Sequence, residues 1–74
     1  MGKFKVGDKV KLNDAKLTAL MEKHQHTWYY IFKEEQKGKD VFTIKDVYPW
    51  ALYMLEEDDV LIFREEWLEA VEEN

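Results

Sequence analysis

Asp40-Val41-Phe42-Thr43-Ile44-Lys45-Asp46-Val47 alternates as a strand does, with Val41, Thr43, Lys45 and Val47 on one side and Phe42, Ile44 and Asp46 on the other. Tyr48-Pro49 ends the run, because proline has no donor for a ladder. Trp50 to Leu55 reads as the next strand, Glu56-Glu57-Asp58-Asp59 as a hairpin turn, and Val60-Leu61-Ile62-Phe63 as the returning strand. Arg64-Glu65-Glu66-Trp67 reads as a 3₁₀ turn and Leu68 to Val71 as a closing strand. Glu72-Glu73-Asn74 reads as a frayed tail.

Toward the N-terminus, Phe4 to Leu12 is the first strand region. Val6, Val10 and Leu12 share one parity and the lysines at 3, 5, 9 and 11 the other, with Gly7-Asp8 as a turn or bulge. Asn13-Asp14 can cap a helix. Leu17, Leu20, Met21 and His24 follow at helical spacing, and the pattern continues through Trp28, Ile31 and Phe32. One helix from Ala15 to Lys37 would be roughly 35 Å long at 1.5 Å per residue, too long for so small a domain. Thr27-Trp28-Tyr29-Tyr30-Ile31-Phe32 is rich in strand formers. The expectation is a helix near 14–24, an extended stretch near 27–32, and a helical turn at 33–37 ended by Gly38. The predicted fold is mainly β: five short strands bent into a barrel, with residues 1–74 one domain and 13–38 a helical insertion in the first long loop. Val10, Phe42, Ile44, Leu55, Ile62 and Leu68 are the predicted core.

A chain of 74 residues supports a thin core. It has no cysteine, which removes disulfides and thiolate chemistry and fits a reducing cytoplasm. Packing must supply the stability, and three Trp, four Tyr and four Phe are the means. No apolar run approaches the ~20 residues of a membrane helix. The N-terminus lacks the apolar stretch of a secretory leader. Met1-Gly2 places Val6 where myristoylation needs Ser or Thr. Net charge is −5, divided as +4 over residues 1–39 and −9 over residues 40–74. Opposite halves attract, while the basic half leaves room for a small nucleic-acid surface.

Phe4-Lys5-Val6-Gly7-Asp8-Lys9-Val10-Lys11-Leu12 resembles the opening strand of small bacterial and phage SH3-like barrels, including the KOW type. Gly38-Lys39, Phe42-Thr43-Ile44-Lys45-Asp46-Val47, Tyr53 with Leu55-Glu56-Glu57-Asp58, and Glu65-Glu66-Trp67-Leu68 resemble the later strands of small Firmicutes and phage proteins of that fold. The resemblance leaves out 13–37. It implies a five-stranded SH3-like barrel, and through the KOW type it implies RNA or ribosome contact. The KOW glycine-rich turn after the first strand is missing here. The nearest string to the peptide-binding motif of eukaryotic SH3 domains, Ala51-Leu52-Tyr53-Met54, lies in the wrong element.

Candidate sites are few. His24 and His26 would share a face on a strand, but no cysteine or fixed acid joins them, so no metal site is expected. Glu56 to Asp59 lacks the alternating ligands and glycine of a calcium loop and reads as a solvated turn. Glu65, Glu66, Glu69, Glu72 and Glu73 flank Trp67, yet nothing buries them, and the chain has no Ser or Cys nucleophile. No catalytic residue and no cofactor is expected. Trp28, Tyr30, Tyr48 and Trp50 are the candidate binding residues, because Tyr and Trp make binding hot spots and loops carry them. Adjacent Trp28-Tyr29-Tyr30 cannot all face inward, so at least one is exposed. The expected function is a non-enzymatic, cytoplasmic protein-interaction module; by resemblance, an accessory protein of a phage or mobile element. The alternatives are a nucleic-acid-binding module using Lys3, Lys5, Lys9, Lys11 and nearby aromatics, and a small acidic inhibitor of a basic host protein presenting Glu56 to Asp59 and the C-terminal acids.

Overall fold

The computed structural model describes residues 3–71, so the expected tail at 72–74 and the Met1-Gly2 reading lie outside the described residues. The elements are β1 (Lys9–Leu12), α1 (Asp14–His24), α2 (Trp28–Gln36), β2 (Phe42–Tyr48), β3 (Leu52–Leu55), β4 (Asp58–Arg64), a 3₁₀ turn (Glu65–Trp67) and β5 (Leu68–Ala70). The strands form one antiparallel sheet in the order β4-β3-β2-β1-β5.

This corrects the expected barrel. β4 and β5 are the two edges of an open sheet and do not pair with each other. Segment 13–38 is two helices of 11 and 9 residues, so helix and strand are nearly balanced in a small α+β domain. β1 and β5 hold only four and three residues, too little to close a cylinder. Helix α2 covers the inner face instead. Phe32 packs its ring 5.4 Å from Phe42 of β2 and 5.6 Å from Phe63 of β4.

The expected extended stretch at 27–32 is helical. Its strand propensity yields to burial, because helical spacing places Trp28 and Phe32 one turn apart on the sheet side. Tyr29 turns to α1, burying itself with Leu17 and Met21. The helical period is therefore kept in part: Leu17, Met21 and Phe32 are buried on it, while His24 and Ile31 are exposed and Tyr29 is buried instead. Gln25 splits the period: at φ 55° it caps α1, and the N–H groups of Gln25 and His26 both bond the Met21 carbonyl. Folding back there fits the chain into a body 31 × 26 × 23 Å. The Asn13 side chain caps α1 as expected, accepting the Lys16 N–H at 3.0 Å.

Five of the six predicted core residues are buried; Ile62 is 39% exposed and Phe63 takes its place. Phe63 pairs with inward-facing Tyr53 across β3–β4, and a one-residue shift in parity exchanges the faces. At the N-terminus a turn at Lys5–Asp8 with Gly7 at φ 91° interrupts the expected strand, so Val6 is exposed, while Phe4, of the same parity as Val10, is buried. The acidic hairpin turn is shorter than expected. Leu55 pairs with Asp58, so only Glu56 and Glu57 make the turn. Leu12, Trp28 and Trp67 touch both the sheet core and the interhelical cluster and join the two.

Candidate binding surface

The β2–β3 connection is Pro49-Trp50-Ala51. Trp50 (φ 64°) and Ala51 (φ 55°) both take left-handed backbone, a conformation that such hairpin turns usually give to Gly, Asn or Asp. The turn is held from below, where the Glu65 N–H bonds the Ala51 carbonyl at 3.1 Å. Glu65 is itself anchored. Its Oε2 accepts the Lys3 N–H at 2.7 Å and the Tyr53 hydroxyl at 2.8 Å, while the Tyr53 oxygen accepts the Phe4 N–H at 3.2 Å. The Lys3 amide and the Tyr53 hydroxyl hold the Glu65 carboxyl below its ordinary pKa. Burial and Glu65 push the Tyr53 phenol up.

On this base the Trp50 ring is 90% exposed. It stands beside an open groove of about 450 Å³ lined by Lys3, Lys16, Arg64, Glu66 and Glu69 among others. Arg64 Nε lies 3.2 Å from Glu66 Oε1, and both side chains are exposed. On the outer face of the sheet Tyr48 pairs with Leu52, and its hydroxyl points to the Met54 sulfur at 3.9 Å. Tyr48, Leu52 and Met54 form a short strip on that face, next in the hairpin to the turn that carries Trp50.

No family model, curated protein or solved structure matches this chain. What the surface can do must be read from its own residues.

Tyr48 and Trp50 share one hairpin, but Trp28 and Tyr30 are elsewhere on α2. Trp28 is half-buried, its ring 6.0 Å from Phe63 and 5.7 Å from Trp67. Tyr30 is the exposed member of the Trp28-Tyr29-Tyr30 run. Asn13 and Lys16 line the same open groove as Trp50 and Ala51.

Several of the other candidate groups make bonds within the domain. Glu57 accepts Lys39 Nζ at 2.6 Å and the Thr43 N–H at 3.2 Å; burial raises its pKa, and these donors outweigh burial and lower it. Asp58 Oδ1 accepts the Val60 and Leu61 N–H groups at 2.8 and 2.9 Å. That turn falls where the β3–β4 register shifts, so the β4 edge is bulged and two of its donors are occupied. Asp14 accepts the Tyr29 hydroxyl at 2.6 Å and Lys33 Nζ at 2.9 Å, which lower its pKa; burial and then Asp14 raise the Tyr29 phenol well above its ordinary value. The His24 and His26 rings stack at 5.9 Å, and among the described residues no three His, Cys, Asp or Glu converge on a metal position. Lys9 donates to Thr43 Oγ1, and Lys11 stands opposite Glu69 across β1–β5. Among the described residues no helix is long and apolar enough to cross a membrane.

The sequence offered no signal for the left-handed turn, since neither Trp nor Ala favours it. The exposure of Ile31, Val60 and Ile62 was also missed, because all three sit in apolar runs.

Proposed function

We propose that this protein is a non-enzymatic protein-interaction module whose recognition element is the β2–β3 hairpin, with Trp50 as anchor and Tyr48, Leu52 and Met54 as flanking contacts. The observation that carries the reading is the state of Trp50: a large ring almost wholly in solvent, on backbone that disfavours any side chain there. Left-handed backbone costs a non-glycine residue roughly 1–2 kcal/mol. A glycine would relieve that cost with little loss of packing, which supports a role for the ring outside the domain. Trp burial in a partner is a standard source of binding energy.

The five groups with shifted pKa values do not supply an acid–base pair for this surface. Asp14, Glu57 and Glu65 shift down while Tyr29 and Tyr53 shift up. All five move away from the neutral range where general acid–base groups work. The groove beside Trp50 mixes Lys3, Lys16 and Arg64 with Glu65, Glu66 and Glu69, a balance that suits a polar protein rim better than a phosphate backbone.

The test is quantitative capture from native lysate, treated with nuclease, on wild-type protein and on Trp50→Gly. A partner retained by the first and lost from the second supports the reading. Equal capture by both, or capture abolished by nuclease, overturns it.

A further inference from the structure

We infer a second docking surface, a cleft between α2 and β4 that takes a short basic segment of another protein, one large apolar side chain flanked by lysine or arginine. The cleft is about 280 Å³ and shares no lining residue with the Trp50 groove. Its floor and walls are Trp28, Phe32 and Leu61, with Ile31 57% and Val60 78% exposed on either side. Two β-branched side chains in solvent across one apolar cleft leave room for a large apolar side chain between them.

The charges select the occupant. The only charged residues lining the cleft are Glu35 and Asp58, and neither makes an ion pair among the described residues. Neighbouring Glu34 and Asp59 are acidic and exposed as well. An acidic rim attracts cationic side chains and speeds their encounter, while it repels nucleic acid and anionic lipid. Strand addition at β4 is disfavoured, because the bulge and Asp58 occupy the backbone there. The segment is therefore held by side chains: its apolar residue between Ile31 and Val60, its cations on Glu35 and Asp58.

The test selects binders from a displayed library of random dodecapeptides on the whole protein, then measures one recovered peptide by fluorescence polarisation. The expected consensus places Lys or Arg beside Leu, Ile or Phe. Binding should weaken at least roughly tenfold in Val60→Asp and in Glu35→Lys, which change exposed side chains, and persist in Trp50→Gly. Asp58→Asn, which keeps the acceptor for Val60 and Leu61, should weaken it less. Amide spectra of each variant show that it is folded. An acidic or uncharged consensus, no enrichment at all, or affinity indifferent to both Val60→Asp and Glu35→Lys overturns the inference. So does concentration-dependent self-association lost in Val60→Asp, which would make a second copy the occupant. Loss in Trp50→Gly with Val60→Asp unaffected would overturn it too, while leaving the hairpin reading intact.

Discussion

Tyr53 donates its hydroxyl hydrogen to Glu65 Oε2 at 2.8 Å, and the same oxygen accepts the Lys3 N–H at 2.7 Å. One carboxylate thus ties the N-terminal segment, β3 and the 3₁₀ turn together, directly beneath the turn that carries Trp50. Glu65, Glu57 and Asp14 all have folded pKa values lowered from their ordinary 4.5, 4.5 and 3.8. Groups of this sign contribute stability that is fully present above the ordinary value and is lost as pH falls through the folded one. The melting temperature should therefore stay level down to about pH 5 and fall below it. Glu65→Gln should flatten part of that acid limb. An unchanged limb in this variant would remove Glu65 from the account.

Tyr53→Phe tests the same tether at neutral pH. It leaves the Phe4 N–H without its acceptor at a buried position. The expected loss is about 1–3 kcal/mol by urea denaturation, the usual cost of an unsatisfied buried donor. No measurable loss would mean that water replaces the phenol there.

The turn makes an opposite prediction. Trp50→Gly should leave the domain as stable or stabilise it by about 1 kcal/mol, because the position is left-handed and its side chain exposed, while Ala51→Gly should gain less, because Ala51 also packs against the core. Only Trp50→Gly should cost binding. Destabilisation by Trp50→Gly would show that the ring supports the fold and would weaken the case for an anchor.

Adjacent residues on β4 separate core from surface. Phe63→Ala should cost on the order of 3–5 kcal/mol and unfold much of the population, while Ile62→Ala should stay within about 1 kcal/mol. Reversal of this order would mean that β4 pairs one residue out of register.

This pair also marks where the sequence stopped being legible. Val60-Leu61-Ile62-Phe63 is apolar throughout, so alternation cannot say which two face inward; pairing with Tyr53 does. In β2 a clean alternation located Phe42 and Ile44 correctly. Helix α2 was misread because aromatic residues serve strand and helix alike, and only the sheet beneath Trp28 and Phe32 settles the choice. Closure into a barrel was likewise invisible. It depends on whether β4 and β5 meet, and strand lengths of seven and three residues, with helices over the inner face, mean that they do not. Of the expected binding residues, Tyr48 and Trp50 share a hairpin, whereas Trp28 lies between two apolar clusters.

The three tryptophans give the last prediction a direct optical form. Trp50 is almost wholly in solvent, while Trp28 and Trp67 are half-buried, their rings 5.7 Å apart. Iodide should therefore quench one fraction of the native fluorescence readily and the rest weakly. Trp50→Gly should remove the readily quenched fraction and move the remaining emission to shorter wavelength, with the fold retained. Trp28→Ala should act differently, because it opens a gap where the sheet core and the interhelical cluster join. The expected cost is about 3 kcal/mol, with partial recovery in Trp28→Phe. Any loss of partner binding in Trp28→Ala should then follow the unfolded fraction, whereas the loss in Trp50→Gly should occur in fully folded protein. If Trp28→Ala stays folded and still loses the partner, the recognition surface extends over α2, and the hairpin alone does not carry it.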